Sequence, residues 1–128
     1  NHDIALLGIR SQDIEEHKEI NNSNNVHQIK AYNLTLNKIK EILPKLKDKV
    51  YISIDIDVFD PSFIRNTGTP EPGGLDWNTV IDVLKLIFKE KEVIGSDIVE
   101  FAPEENFRAE AYALSRLVYK IMALKLSQ

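Results

Sequence analysis

One stretch, VYISIDIDVFDPSFIRNTGTPEPGGL at residues 50–75, limits the fold of this chain more than any other. Val50, Ile52, Ile54, Ile56 and Val58 alternate with Tyr51, Ser53, Asp55 and Asp57. That period of two predicts a strand over 50–57, with the aliphatic set on one face and both carboxylates on the other. Two acids at the end of so apolar a strand are costly to bury unless a cation or hydrogen-bond donors offset their charge. The chain then turns at Asp60-Pro61 and enters a loop carrying Pro70, Pro72, Gly73 and Gly74. Asp60 leaves the alternation and precedes a proline, so it is read as a turn-stabilising residue rather than a ligand.

The rest of the sequence supplies partners for that strand. Residues 4–9 (IALLGI) form a nearly all-apolar run, expected as a buried strand ending at Arg10. Residues 13–20 predict one or two helical turns, NNSNN at 21–25 a loop, and 26–34 a weaker strand centred on 27–31. Leu36, Ile39, Ile42, Leu43 and Leu46 follow helical spacing behind Thr35 as N-cap, and Pro44 breaks that helix. Asp76 is expected to cap a helix with Val80, Val83, Leu84, Ile87 and Phe88 on its apolar side. A fourth strand is predicted over 93–101. A closing helix follows from Phe107 to about Leu126, with Met122 in its core face. Short apolar strands alternating with amphipathic helices predict an α/β domain over 1–128: a mainly parallel sheet between helices on both faces. In such sheets ligands sit beyond the carboxyl ends of strands, where Arg10, Asp57 and Glu100 fall.

Composition narrows the function classes. With 128 residues, 16 Lys and Arg against 20 Asp and Glu, and no basic run, nothing suggests a nucleic-acid groove. The absence of cysteine excludes disulfides and thiolate metal sites and makes a reducing cytoplasm the expected compartment. No apolar stretch is long enough for a transmembrane helix, and the first residues do not read as a signal peptide, so no membrane partner is expected. The chain begins without Met and enters a strand almost at once, the expected look of a fragment or a processed product.

Three features carry the possible chemistry. Asp55 and Asp57 either cap neighbouring backbone amides or pair with Arg10 or Arg65, or else act as oxygen ligands for hard divalent cations. On one strand face their Cβ atoms would lie about 7 Å apart. The loop 65–74 is either a long crossover or a stiff rim of a substrate entrance. Glu100 is either a surface carboxylate or one that receives a planar cation such as guanidinium through two oxygens. His2, His17 and His27 stand in no metal-ligand spacing and are read as ordinary surface residues.

Read as a whole, Ser53-Ile54-Asp55-Ile56-Asp57-Val58-Phe59-Asp60-Pro61 resembles the S-x-D-x-D-x-x-D-P signature of the ureohydrolases: arginases, agmatinases and formiminoglutamases. Thr67 to Leu75 (TGTPEPGGL) resembles a second segment of that family, Gly95 to Pro103 a third, and Gly8 to Ser11 a fourth. The resemblance implies an arginase-like three-layer fold present as the C-terminal half of one domain. It implies a binuclear Mn²⁺ site with two ions per full-length subunit, Asp55 as bridging ligand and Asp57 as ligand to one ion. Asp57 and Glu100 are implied as catalytic residues, Glu100 beside the guanidinium of a small-molecule guanidino substrate. The Glu71 version of the loop is more similar to agmatinases than to arginases. The implied activity is hydrolysis of agmatine to putrescine and urea by the full-length parent, a homo-oligomer. Arginase, another guanidino or formimino hydrolase, and a non-catalytic half-length subunit are the alternatives. The family's Gly-Gly-[Asp/Glu]-His and Asp-Ala-His-x-Asp segments are absent, and the strand carrying the latter lies between those matching 4–9 and 50–57. The isolated chain is therefore expected either to expose strand edges there or to pair those two strands directly. Arg65-Asn66 stands where the family usually has Pro-Gly.

Overall fold

The computed structural model describes residues 2–128. Four strands and four helices alternate: β1 (Ile4–Ile9), α1 (Ile14–Asn22), β2 (Val26–Lys30), α2 (Leu36–Ile42), β3 (Lys49–Asp55), α3 (Trp77–Glu90), β4 (Glu92–Val99) and α4 (Ala109–Leu126). β1 pairs in parallel with β2, and β3 in parallel with β4, giving two separate two-stranded sheets. The result is a mixed α/β fold of parallel sheets flanked by helices. β1 and β3 do not pair with each other, so the exposed-edge expectation holds rather than the direct pairing.

Local chemistry explains where most elements start. Asp13 opens α1 with a capping box, accepting the amides of Glu15 and Glu16 while Glu16 reaches back to its own N–H. The helix runs on to Asn22, through the first two residues expected as loop. Thr35 caps α2, and Pro44 sits in the short 3-10 turn at Leu43–Lys45 that ends it. Asp76 caps α3 by accepting the amide of Thr79, and these bonds hold its carboxyl below the usual range.

α3 is the central beam. Val80, Ile81, Leu84 and Phe88 are buried with Ile54, Val93, Leu114, Leu117 and Ile121, joining β3, β4 and α4. Val83 and Leu86 join a second cluster with Ile29, Ile39 and Leu43 from β2 and α2. Each such side chain contributes roughly 1.5–3 kcal/mol of burial free energy, so one helix ties the two sheets together. In α4 the buried positions are Glu110, Leu114, Leu117 and Ile121. Met122 is 57% exposed, contrary to its expected core place. One residue on from Ile121, it is turned about 100° away from the buried stripe.

Two strands end earlier than the sequence predicts at chemically important residues. β3 ends at Asp55, not 57, because Ile56–Val58 curl into a 3-10 turn whose N-cap is Asp55 itself. β4 ends at Val99, and Glu100 takes a left-handed backbone, φ 66°, so the alternation predicted through 101 stops there. Both departures put side chains where a straight strand could not.

Candidate functional site

The unpaired edges of β1 and β3 border a cavity of about 450 Å³. Its walls include Ala5, Leu7 and Ile9 of β1, Ile52 and Ile54 of β3, and Val80, Val83, Leu84 and Ile87 of α3. Polar residues from three segments also line it: Arg10 and Ser11, Asp55 and Asp57, Thr69 and Glu71. Apolar walls joined by a few convergent polar groups make this the natural place for a ligand.

Each polar residue is there for a local reason. Asp55 is the last residue of β3 and accepts the amide of Asp57 at 2.9 Å, which fixes the turn. That turn, rather than strand alternation, brings Asp57 to the same cavity as Asp55. Thr69 donates its hydroxyl to Asp57 Oδ2, while Asp57 Oδ1 is buried with no hydrogen-bond partner among the described residues. A buried carboxylate oxygen without a donor is costly unless something positive meets it. Arg10 crosses from the end of β1 to donate to the backbone carbonyls of Asp57 and Val58. It thus pairs with carbonyls, not with the carboxylates, and leaves their charge uncompensated. Ser11 donates to Glu71, a second tie between β1 and the loop.

The loop is bolted at Asp60. One carboxylate oxygen accepts the amide and hydroxyl of Ser62, at 3.0 and 2.6 Å, and the other the amides of Gly73 and Gly74, at 2.9 and 3.2 Å. The Ser62 hydroxyl, then the amides, draw its pKa from 3.8 down to about 2. The turn role expected for Asp60 holds. Because the folded pKa lies below the unfolded one, its contribution is full above about pH 4 and is lost as pH falls through about 2. Between pH 4 and 2, the urea midpoint of the wild-type chain should drop more steeply than that of Asp60→Asn. Parallel slopes in urea titrations would refute this. Leu75 closes the loop by donating to Val58 and accepting from Asp60, and Phe59, Phe63 and Trp77 pack their rings beneath it.

Glu100 follows β4 directly. The left-handed region costs a residue with a Cβ about 1–2 kcal/mol, and such strain gathers at functional sites. Its carboxylate faces the loop: a Cβ on Gly68 would lie 3.7 Å from Glu100 Oε2. Thr67 forms an antiparallel bridge with Phe101, holding the loop against this segment. Glu100 does not line the cavity that holds Asp55 and Asp57. Asp97 has its own task, accepting the hydroxyls of Ser53 at 2.6 Å and Tyr51 at 3.0 Å, and that bond pushes the Tyr51 phenol up. The histidines lie elsewhere, His17 against Asn21 and His27 against Asp3.

Asp55 and Asp57 present oxygens suited to a hard cation, and the orphaned Oδ1 of Asp57 fits such a partner. Two carboxylates alone would make an incomplete shell. Among the described residues no group of three or more His, Cys, Asp or Glu stands ready to hold a metal ion. Among the described residues no helix is long and apolar enough to cross a membrane. Sequence reasoning singles out Asp55, Asp57 and Glu100 but passes over Thr69, whose hydroxyl orients Asp57. Its only signal is a place in the loop.

Comparison with known proteins gives the family of the chain. Residues 1–124 match the family described as the Arginase family. The chain is 46% identical over 99 residues to an N(1)-aminopropylagmatine ureohydrolase of Thermus thermophilus, covering 77% of this chain and 32% of that protein. It is 31% identical to an agmatinase of Pyrococcus horikoshii, covering 94% of this chain and 42% of that one. The crystal structure of the agmatine ureohydrolase of Thermoplasma volcanium superposes with a TM-score of 0.75 and 27% identity, over 95% of this chain and 42% of the other. The chain thus spans between a third and a half of the length of these relatives. With the family match running along nearly its whole length, the chain belongs to the arginase family.

Proposed function

We propose that these residues are the C-terminal half of a single arginase-like domain, and that the whole protein is a metal-dependent hydrolase of the guanidino group. The substrate we favour is agmatine, released as putrescine and urea. The observation that carries the reading is Asp57: a carboxylate at the cavity with one oxygen oriented by Thr69 and the other buried and unpartnered. The named relatives support the substrate class. The 46% identity to the Thermus thermophilus protein favours N(1)-aminopropylagmatine as the second reading.

Asp55 and Asp57 would hold Mn²⁺ together with ligands from the part of the longer relatives that this chain does not match. When bound there, the ions supply Lewis-acid chemistry suited to hydrolysis at neutral pH. Glu100 receives the guanidinium by charge-assisted hydrogen bonds, for which two carboxylate oxygens and a planar cation are matched. With Oδ1 directed at the cation, Oδ2 of Asp57, which Thr69 orients, is the oxygen that would take a proton from the attacking water and return it to the leaving amine. The loop bolted at Asp60 forms the stiff rim that limits water around these groups.

The test is a chimera in which this chain replaces the matching segment of the Thermus thermophilus relative, assayed for urea with Mn²⁺. It should release urea from agmatine or N(1)-aminopropylagmatine, whereas this chain alone should not. No urea from a folded chimera, with any guanidino substrate, would overturn the reading.

A further inference from the structure

The most buried acid in the protein is not in the site described. Glu110, in the first turn of α4, is 4% exposed. Its two oxygens take two successive backbone amides of the loop, Arg65 N–H on Oε1 at 3.1 Å and Asn66 N–H on Oε2 at 3.0 Å. Arg65 Nε lies 3.8 Å from the same carboxylate, and its guanidinium rests over the Phe107 ring at 4.2 Å. The segment is stitched from the other side as well: Ala102 donates to the Asn66 carbonyl at 2.9 Å, and Thr67 bridges Phe101. A proline at 65 would offer no N–H, so the clamp needs a residue other than proline there.

What this clamp controls lies two and three residues further on. Gly68 faces the carboxylate of Glu100, and Thr69 donates to Asp57. We propose that Glu110 is a positioning residue: its buried carboxylate fixes the start of the loop, and so sets where Gly68 and Thr69 meet Glu100 and Asp57. It touches neither substrate nor reacting atoms. The functional part of this proposal rests on the reading above of Glu100 as the guanidinium carboxylate.

The charge matters as well as the shape. Both groups that Glu110 receives are donors, and a carboxylate is acceptor on both oxygens. Glu110→Gln keeps the size but points an amide donor at one of the two N–H groups. Glu110→Ala removes both acceptors.

Two measurements test this. In the chain itself, amide hydrogen exchange should rise at least about tenfold at Arg65, Asn66, Thr67 and Ala102 in both variants, while α3 stays within about twofold of wild type. Glu105→Gln, an exposed acid near the same turn, should change nothing. In the chimera, Glu110→Gln should raise KM for agmatine about tenfold with a smaller change in kcat, because the loop's seat against Glu100 is what loosens. Unchanged loop exchange would overturn the proposal. So would equal acceleration in α3, which would mark plain destabilisation, or a loosened loop with unchanged KM. A chimera with no activity at all would refute the functional reading instead, and the exchange pattern would still decide whether the clamp exists.

Discussion

Asp57→Asn in the chimera is expected to lower kcat/KM at least about 10²-fold and to reduce the bound Mn²⁺, while the melting temperature stays close to that of the parent. The substitution keeps the shape and the acceptor for Thr69 but removes the charge at the oxygen that has no protein partner. If that oxygen exists to meet a cation, the loss falls on metal and turnover, not on folding. Asp97→Asn is the matched control. That carboxylate is occupied by Ser53 and Tyr51, so its variant should retain the metal and most of the activity. Metal analysis and urea assays on the two variants side by side check this. Equal losses in both would mean that any acid near the strand end matters alike.

Gly74→Ala should be the most damaging single methyl in the loop. A Cβ at Gly74 would stand closer than 3.0 Å to Asp60 N and to the Phe59 carbonyl carbon, both backbone atoms that cannot swing aside. The cost should reach about 3 kcal/mol, the upper end for overpacking, which corresponds to a fall in Tm of roughly 10 °C. Its neighbour provides the comparison. Gly73 has φ 83°, and an added methyl there would meet nothing within 4 Å, so Gly73→Ala carries only the left-handed cost. That cost is about 1–2 kcal/mol. Thermal denaturation should therefore rank Gly74→Ala well below Gly73→Ala, and the reverse order would refute the steric account. The loop's closure against Phe59 thus depends on a residue with no side chain.

The elements are legible in the sequence because their signals are local. Thr35 and Asp76 announce helix starts by the chemistry of a short oxygen side chain, and the strand alternation from Val50 to Ile54 is a strict two-residue period. What is not legible are the points where a local signal is overridden by the next residue's bond. Alternation continues on paper through Val58, yet the Asp55 carboxylate captures the Asp57 amide and turns the chain early. The pattern of Ile98 and Glu100 likewise extends on paper, but Glu100 adopts a positive φ that no residue-type preference predicts. Met122 is misplaced by its pattern because one apolar residue beside a buried stripe has the same letters as one within it. Arg10 is only one possible partner for the carboxylates in the sequence; it meets backbone carbonyls, a distinction that only three-dimensional placement can draw. Glu110 gives no signal at all, since its partners are backbone amides 44 and 45 residues away.

The same limits explain the site. Asp55, Asp57 and Glu100 are identified from the residues they sit among, and the structure gathers the first two at one cavity while setting Glu100 across the loop. The cavity itself exists because β1 and β3 leave their facing edges unpaired. Edges of that kind recruit another strand or another chain.

Under this proposal Asp55 and Asp57 share a manganese site. Crystals of the chimera grown with Mn²⁺, measured at the manganese absorption edge, test it most directly. The account predicts anomalous peaks within about 2.0–2.6 Å of oxygens from both aspartates, the range for hard cations on oxygen. Manganese bound elsewhere, with both carboxylates hydrogen-bonded only to protein, would contradict it.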